Sequence, residues 1–98
     1  MAGTDPTTAR TLIASGATIV DVRRPDEFAG GHVANATNVP VDDVSRRMPE
    51  IDDLVGGDKT KPVVVYCARG GRAQKAKQML EAAGYTHVVN GGGYSDLK

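Results

Sequence analysis

The sequence predicts an α/β sandwich built around a mainly parallel sheet. Three observations carry this. First, short apolar runs rich in β-branched residues recur along the chain, chiefly Ile19-Val20-Asp21-Val22, Val63-Val64-Val65-Tyr66 and Tyr85-Thr86-His87-Val88-Val89. The first two have the composition of strands buried on both faces. Second, stretches with helical spacing lie between these runs, as in Ala76, Met79, Leu80 and Ala83 at i, i+3, i+4 and i+7. Third, proline and glycine mark most of the changeovers. Strands that alternate with helices favour parallel pairing, because each crossover needs a helix.

Taken in order, Asp5-Pro6 reads as an N-cap followed by proline at the first helical position. Ala9, Leu12 and Ile13 give that helix its apolar stripe, and Gly16 ends it. The strand Ile19–Val22 follows, interrupted by one carboxylate, Asp21. A buried carboxylate needs a partner. Arg23 and Arg24 come at once, so the charges are read as tying the strand end to the next turn. Pro25–Gly30 looks like a single helical turn, with Phe28 as a core plug. His32 opens an irregular stretch and is read as fixing local backbone rather than as a general base. Thr37-Asn38-Val39 is a short strand ended by Pro40.

Val41, Val44 and Met48 predict a helix of about two turns, begun at Asp42 or Asp43 and stopped by Pro49. Ile51 and Leu54 suggest a further short helical piece. Gly56–Lys61 is an exposed turn whose two lysines are read as solvated. The central strand then leads through a tight loop into the helix that Gly84 closes. After the last strand, Asn90-Gly91-Gly92-Gly93 is read as a flexible break, and Tyr94 and Leu97 as a short final helix.

Composition excludes several classes of function. Twelve Lys and Arg balance twelve Asp and Glu, which argues against a general binder of nucleic acid or membrane surfaces. A single cysteine forbids an internal disulfide and any CxxC pair. His32 and His87 lack metal-ligand spacing, so no metal or cofactor is expected. The first twenty residues lack the apolar core of a signal peptide, and no segment is long enough to span a bilayer. One domain over residues 1–98, in the reducing cytoplasm, is the expectation.

The chemistry points to Cys67-Ala68-Arg69-Gly70-Gly71-Arg72. The only cysteine stands where the central strand ends, and ligand sites of such sheets lie beyond the carboxyl ends of the strands. A loop feeding a helix N-terminus presents backbone N–H groups without helical partners, and these favour a nearby negative charge. Gly70 and Gly71 let the backbone curl so that successive amides converge. Arg69 and Arg72 add two permanent cations. A free cysteine is often no more than a small buried hydrophobe. Two glycines and two arginines within five residues turn the reading to a reactive nucleophile.

These motifs together resemble one family, the single-domain rhodanese sulfurtransferases. The resemblance rests on DVRRPDEFAGGHVANATNVP (Asp21 to Pro40), VVYCARGGRA (Val64 to Ala73) and AAGYTHVVNGGGYSDL (Ala82 to Leu97), in that order. It implies a three-layer sandwich, a five-stranded, mainly parallel sheet with helices on both faces. It implies Cys67 as the nucleophile and the loop from Ala68 to Arg72 as the cradle of a persulfide. It gives Arg72 a part in binding an anionic donor and in shaping the loop. Asp21, Arg23, Glu27 and His32 fall on motif positions whose role is mainly structural.

The implied reaction moves the outer sulfur of thiosulfate, or of another persulfide donor, onto Cys67 and then to cyanide or a cellular thiol such as glutathione or thioredoxin. The chain departs from the family's pattern at two points. Ala73 stands where Ser or Thr is common, and Asn35 where glycine is common; Asn is the residue that best tolerates the left-handed region after glycine. Two alternatives stay open. Rhodanese-related phosphatases and arsenate reductases also use a loop cysteine and arginine, but with five intervening residues rather than the four here. Non-catalytic rhodanese-like interaction modules commonly lack the cysteine that this chain keeps.

Overall fold

The computed structural model describes residues 3–98. Its helices and strands alternate as the apolar pattern requires. Helix α1 (Pro6–Ala14) starts where Asp5 accepts a hydrogen bond from the Thr8 N–H at 3.1 Å, and Gly16 follows its end at φ 90°. Strand β1 (Thr18–Asp21) leads to the short helix α2 (Pro25–Ala29) and to strand β2 (Thr37–Asn38). A 3₁₀ turn (Val41–Asp43) precedes helix α3 (Met48–Leu54). Strand β3 (Val63–Cys67) runs into helix α4 (Gly71–Ala82), then come strand β4 (Val88–Gly93) and a final turn of helix, α5 (Tyr94–Leu97).

All strand pairs are parallel, in the order β2-β1-β3-β4. The sheet therefore has four strands among the described residues, not the five expected. Thr4 makes a single parallel bridge to Asn90 on the outer edge of β4. The chain turns there at once into α1, because Asp5-Pro6 favours a helix start, so no fifth strand develops.

The sheet is covered on both faces, which makes the three layers. Residues of β3 alternate between two cores. Val63, Val65 and Cys67 face a cluster with Val20, Val44, Ile51, Ala76 and Leu80, while Val64 and Tyr66 face Ala9, Ile19 and Leu97. Period-two alternation of a strand sends successive side chains to opposite faces, and here both faces are apolar.

Four local expectations are corrected. The two-turn helix from Val41 does not form. The chain makes one 3₁₀ turn, and Pro49 sits in the first turn of α3 instead of stopping a helix. Proline lacks the N–H that the first turn leaves unpaired, so it starts helices as readily as it ends them. Lys59 is not merely solvated: its ammonium donates to the Ala83 carbonyl at 2.7 Å, at the carboxyl end of α4. Phe28 is only half-buried and stacks on the His32 ring, centroids 3.7 Å apart.

The last correction matters most for the site. Asn90-Gly91-Gly92-Gly93 is not a flexible break but the buried second half of β4. The register runs Val65 to Asn90 and Cys67 to Gly93, so β4 carries one extra residue opposite β3. Such a bulge bends a strand and re-aims the residues after it. Glycine is required by close approach: a Cβ on Gly93 would collide with the Ala68 carbonyl oxygen.

Candidate active site at the carboxyl end of β3

The order β2-β1-β3-β4 makes β1 and β3 neighbours whose chains leave in opposite directions across the sheet. In sheets of this kind ligands bind beyond the carboxyl ends of such a strand pair. The loops after β1 and β3 meet there. This is why residues far apart in sequence, Glu27 and Arg72, come into contact.

Cys67 ends β3. Its side chain is 1 % exposed, yet it forms the floor of a pocket of about 320 Å³ walled by Ala68, Arg69, Gly71 and Arg72. The Gly70 N–H donates to Cys67 Sγ at 2.9 Å. Gly70 reaches that position at φ 99°, in the left-handed region, and a Cβ there would lie 2.7 Å from the Thr4 Cγ2 methyl. Both the conformation and the space thus call for glycine. Gly71 begins α4, so the amides of its first turn open towards the pocket end of the helix.

The two loop arginines differ. Arg72 is held in a two-pronged pair by Glu27, Nη1 to Oε1 at 2.7 Å and Nη2 to Oε2 at 3.1 Å. Glu27 Oε1 also accepts from the Arg24 N–H at 3.0 Å. The Arg72 guanidinium first, and then that backbone donor, hold the Glu27 carboxyl down from its usual 4.5 to about 2. Arg72 is raised in turn by Glu27. Arg69 is exposed, lines the pocket and makes no ion pair among the described residues.

Behind the loop, the motif charges form a buried frame. Asp21 is fully buried and grips Arg23, with Nη2 to Oδ2 at 2.8 Å and the Arg23 N–H to Oδ1 at 2.9 Å. Arg23 also donates to the Gly31 carbonyl at 2.7 Å and lies over the Tyr94 ring at 4.8 Å. Tyr66, whose phenol is pushed up by burial, accepts from the Val33 N–H at 3.0 Å. His32 is exposed, and its Nδ1 lies 2.9 Å from the Phe28 carbonyl, which it serves as donor. The structure therefore brings Cys67, Ala68, Arg69, Gly70, Gly71, Arg72 and Glu27 together. It places Asp21 and Arg23 in the frame and His32 on the surface of the α2 turn.

Two site neighbours escaped the sequence reading. Asn90 is 1 % exposed and donates to the Gly70 carbonyl at 3.0 Å, while Gly93 packs on the Ala68 carbonyl. The available signal was a run of glycines one residue beyond the β-branched pair Val88-Val89, which marks close backbone approach as well as a break. Asn35 does adopt the left-handed region, at φ 70°. Ala73 is fully buried against the apolar cluster that holds Cys67, a place for a methyl group. Among the described residues no three His, Cys, Asp or Glu side chains gather as metal ligands, and no helix is long and apolar enough to cross a membrane.

The chain is similar to several known proteins. The model of the family described as the rhodanese-like domain matches residues 5–98. Thiosulfate sulfurtransferase PspE of Escherichia coli is 38 % identical over 78 residues, covering 80 % of this chain and 71 % of PspE. A tRNA uridine(34) hydroxylase of Erwinia tasmaniensis is 36 % identical over 74 residues, 76 % of this chain but 21 % of that protein, so the shared part is one region of a longer enzyme. The human single-domain sulfurtransferase TSTD1 superposes with a TM-score of 0.79, at 29 % identity over 98 % of this chain and 95 % of that one.

Proposed function

Because the chain belongs to the rhodanese-like domain family, we propose that it is a sulfurtransferase that carries sulfur as a Cys67 persulfide. One observation carries the reading: the Gly70 N–H donates to the sulfur of the protein's single cysteine at 2.9 Å, on the floor of an open pocket. A main-chain donor aimed at the sulfur is placed to bond the negative charge that the sulfur carries in the reaction.

The first half-reaction is a displacement at sulfur. The Cys67 thiolate attacks the outer sulfur of thiosulfate. A new S–S bond forms as the old one breaks, and sulfite leaves with the bonding electron pair. The product is Cys67–S–S⁻, with charge conserved and no proton moved. The outer sulfur extends about 2 Å beyond Sγ, into the space walled by Ala68, Arg69, Gly71 and Arg72. In the second half-reaction cyanide or a thiolate such as that of glutathione or thioredoxin attacks this outer sulfur. Thiocyanate or a new persulfide leaves, and the Cys67 thiolate is restored.

Thiosulfate is a dianion approaching an anion, so the pocket needs positive charge. Arg72 already turns one edge of its guanidinium, Nη1 and Nη2, to Glu27, which suits it to hold α4 and the loop in place. Arg69 has no such partner among the described residues and is the residue suited to meet the donor's sulfonate. Asp21 and Arg23 act as the frame behind the strand ends. His32 serves the α2 turn and takes no part in proton transfer.

The test is a sulfite burst without acceptor. One equivalent of sulfite per Cys67, released in a single phase and lost in Cys67→Ser, supports the mechanism. No sulfite from the folded wild type, together with turnover of a generic aryl phosphate, would replace it with the phosphatase reading.

A further inference from the structure

One buried polar side chain beside the loop has no part in these sulfur-transfer steps. Asn90 is 1 % exposed and sits in the bulged half of β4. Its amide is fully committed. Nδ2 donates to the Gly70 carbonyl at 3.0 Å and to Gln74 Oε1 at 3.2 Å, and Oδ1 accepts from the Gly92 N–H at 2.9 Å. The Gly92 N–H fixes which end of the side chain is oxygen, and so aims the NH₂ at Gly70. Burial makes each of these bonds costly to lose.

The Gly70 carbonyl belongs to the same planar unit as the Gly71 N–H. In a trans peptide the two groups point in opposite directions. The Gly70 carbonyl is held by two donors on the protein side, Asn90 Nδ2 and the Gln74 N–H at 2.9 Å. The Gly71 N–H is therefore turned away from them, and Gly71 lines the pocket. The adjacent Gly70 N–H is the one that reaches Cys67 Sγ. Glycine at both positions gives this segment wide freedom, so something must hold it in one orientation. Asn90 is the only side chain outside α4 and its loop that hydrogen-bonds to it among the described residues.

We propose that Asn90 is a positioning residue for sulfur transfer. By gripping the Gly70 carbonyl it orients the Gly70–Gly71 peptide, so that the Gly71 N–H faces the outer sulfur of the persulfide while the Gly70 N–H keeps Sγ. The inference rests on the persulfide reading and adds to it a residue that never touches substrate. It also assigns a purpose to the bulge: the extra residue in β4 lets Asn90 reach the loop while Gly93 packs on Ala68.

The test is Asn90→Asp, which keeps the oxygen for the Gly92 N–H and replaces the donor to Gly70 with an acceptor. Three quantities are compared with wild type: thermal midpoint, the rate of Cys67 alkylation by neutral iodoacetamide, and the rate of sulfur loading from thiosulfate followed by intact mass. A folded Asn90→Asp with loading slowed about tenfold, less than the loss of a direct oxyanion donor, with the effect in kcat rather than KM, supports the proposal. Loading within twofold of wild type in a folded variant overturns it.

A measurement on the unmutated protein covers the case in which Asn90→Asp does not fold. On persulfide formation the Gly71 amide proton resonance is expected to move downfield as it gains a sulfur acceptor. An unmoved Gly71 resonance in protein whose mass shows the added sulfur refutes the proposal. If wild type gains no sulfur at all, it is the sulfurtransferase reading that fails.

Discussion

Replacing Glu27 by Gln tests the link between α2 and the loop that follows β3. Glu27 grips Arg72 with both oxygens, and its carboxyl is held from 4.5 down to about 2. A change of that size corresponds to a gross stabilisation of roughly 3 kcal/mol. Glu27 is 21 % exposed and Arg72 33 %, so solvent screens the pair and about 1–2 kcal/mol is the realistic share. The sign follows from the lowered value. The contribution is complete above the unfolded-state value near 4.5 and fades as pH falls through the folded value of about 2. Urea unfolding of wild type and Glu27→Gln at pH 7 is expected to differ by about 1–2 kcal/mol. The gap should narrow steadily between pH 4.5 and pH 2. A gap below about 0.3 kcal/mol at pH 7, within the range of an exposed pair, or one that does not change with pH, would refute the reasoning.

Three further perturbations separate the roles of the site residues. Arg69→Ala should raise KM for thiosulfate roughly fivefold to thirtyfold at low ionic strength, and the difference should shrink towards 1 M salt, where the screening length is about 3 Å; steady-state kinetics across a salt series reads both. Gly93→Ala drives a methyl group into the Ala68 carbonyl oxygen, so β4 or the loop must move; a loss of about 2–4 kcal/mol in denaturant titration is expected, with slower Cys67 loading in whatever folds. Asp21→Asn leaves Arg23 buried without its countercharge and should cost about 3–5 kcal/mol, far more than Glu27→Gln, as the same titration would show.

Much of this architecture is legible in the residues. The β-branched runs Ile19–Val22 and Val63–Tyr66 became neighbouring central strands, and Asp5-Pro6 and Gly84 mark real helix ends. The candidate loop stands out in the residues too, since a cysteine, two glycines and two arginines are crowded between strand and helix. What was misread depends on tertiary contact. Pro49 has the same sequence signature at a helix start as at a stop, and only the packing of Ile51 into the core decides between them. Asn90–Gly93 has the composition of a loop, yet it is strand because Leu97, Ala9 and Val64 crowd Gly91 and Ala68 crowds Gly93. No local pattern reveals that Glu27 pairs with Arg72, because that contact exists only once β1 and β3 lie side by side.

The central claim is that Cys67 carries a sulfur atom between two half-reactions. Intact-mass measurement of the protein after incubation with thiosulfate and removal of excess donor tests it most directly. The account predicts a gain of one sulfur per chain, located on the Cys67 peptide, removed by cyanide with release of thiocyanate, and absent in Cys67→Ser. An unchanged mass in folded wild-type protein, or a sulfur that cyanide does not remove, would contradict it.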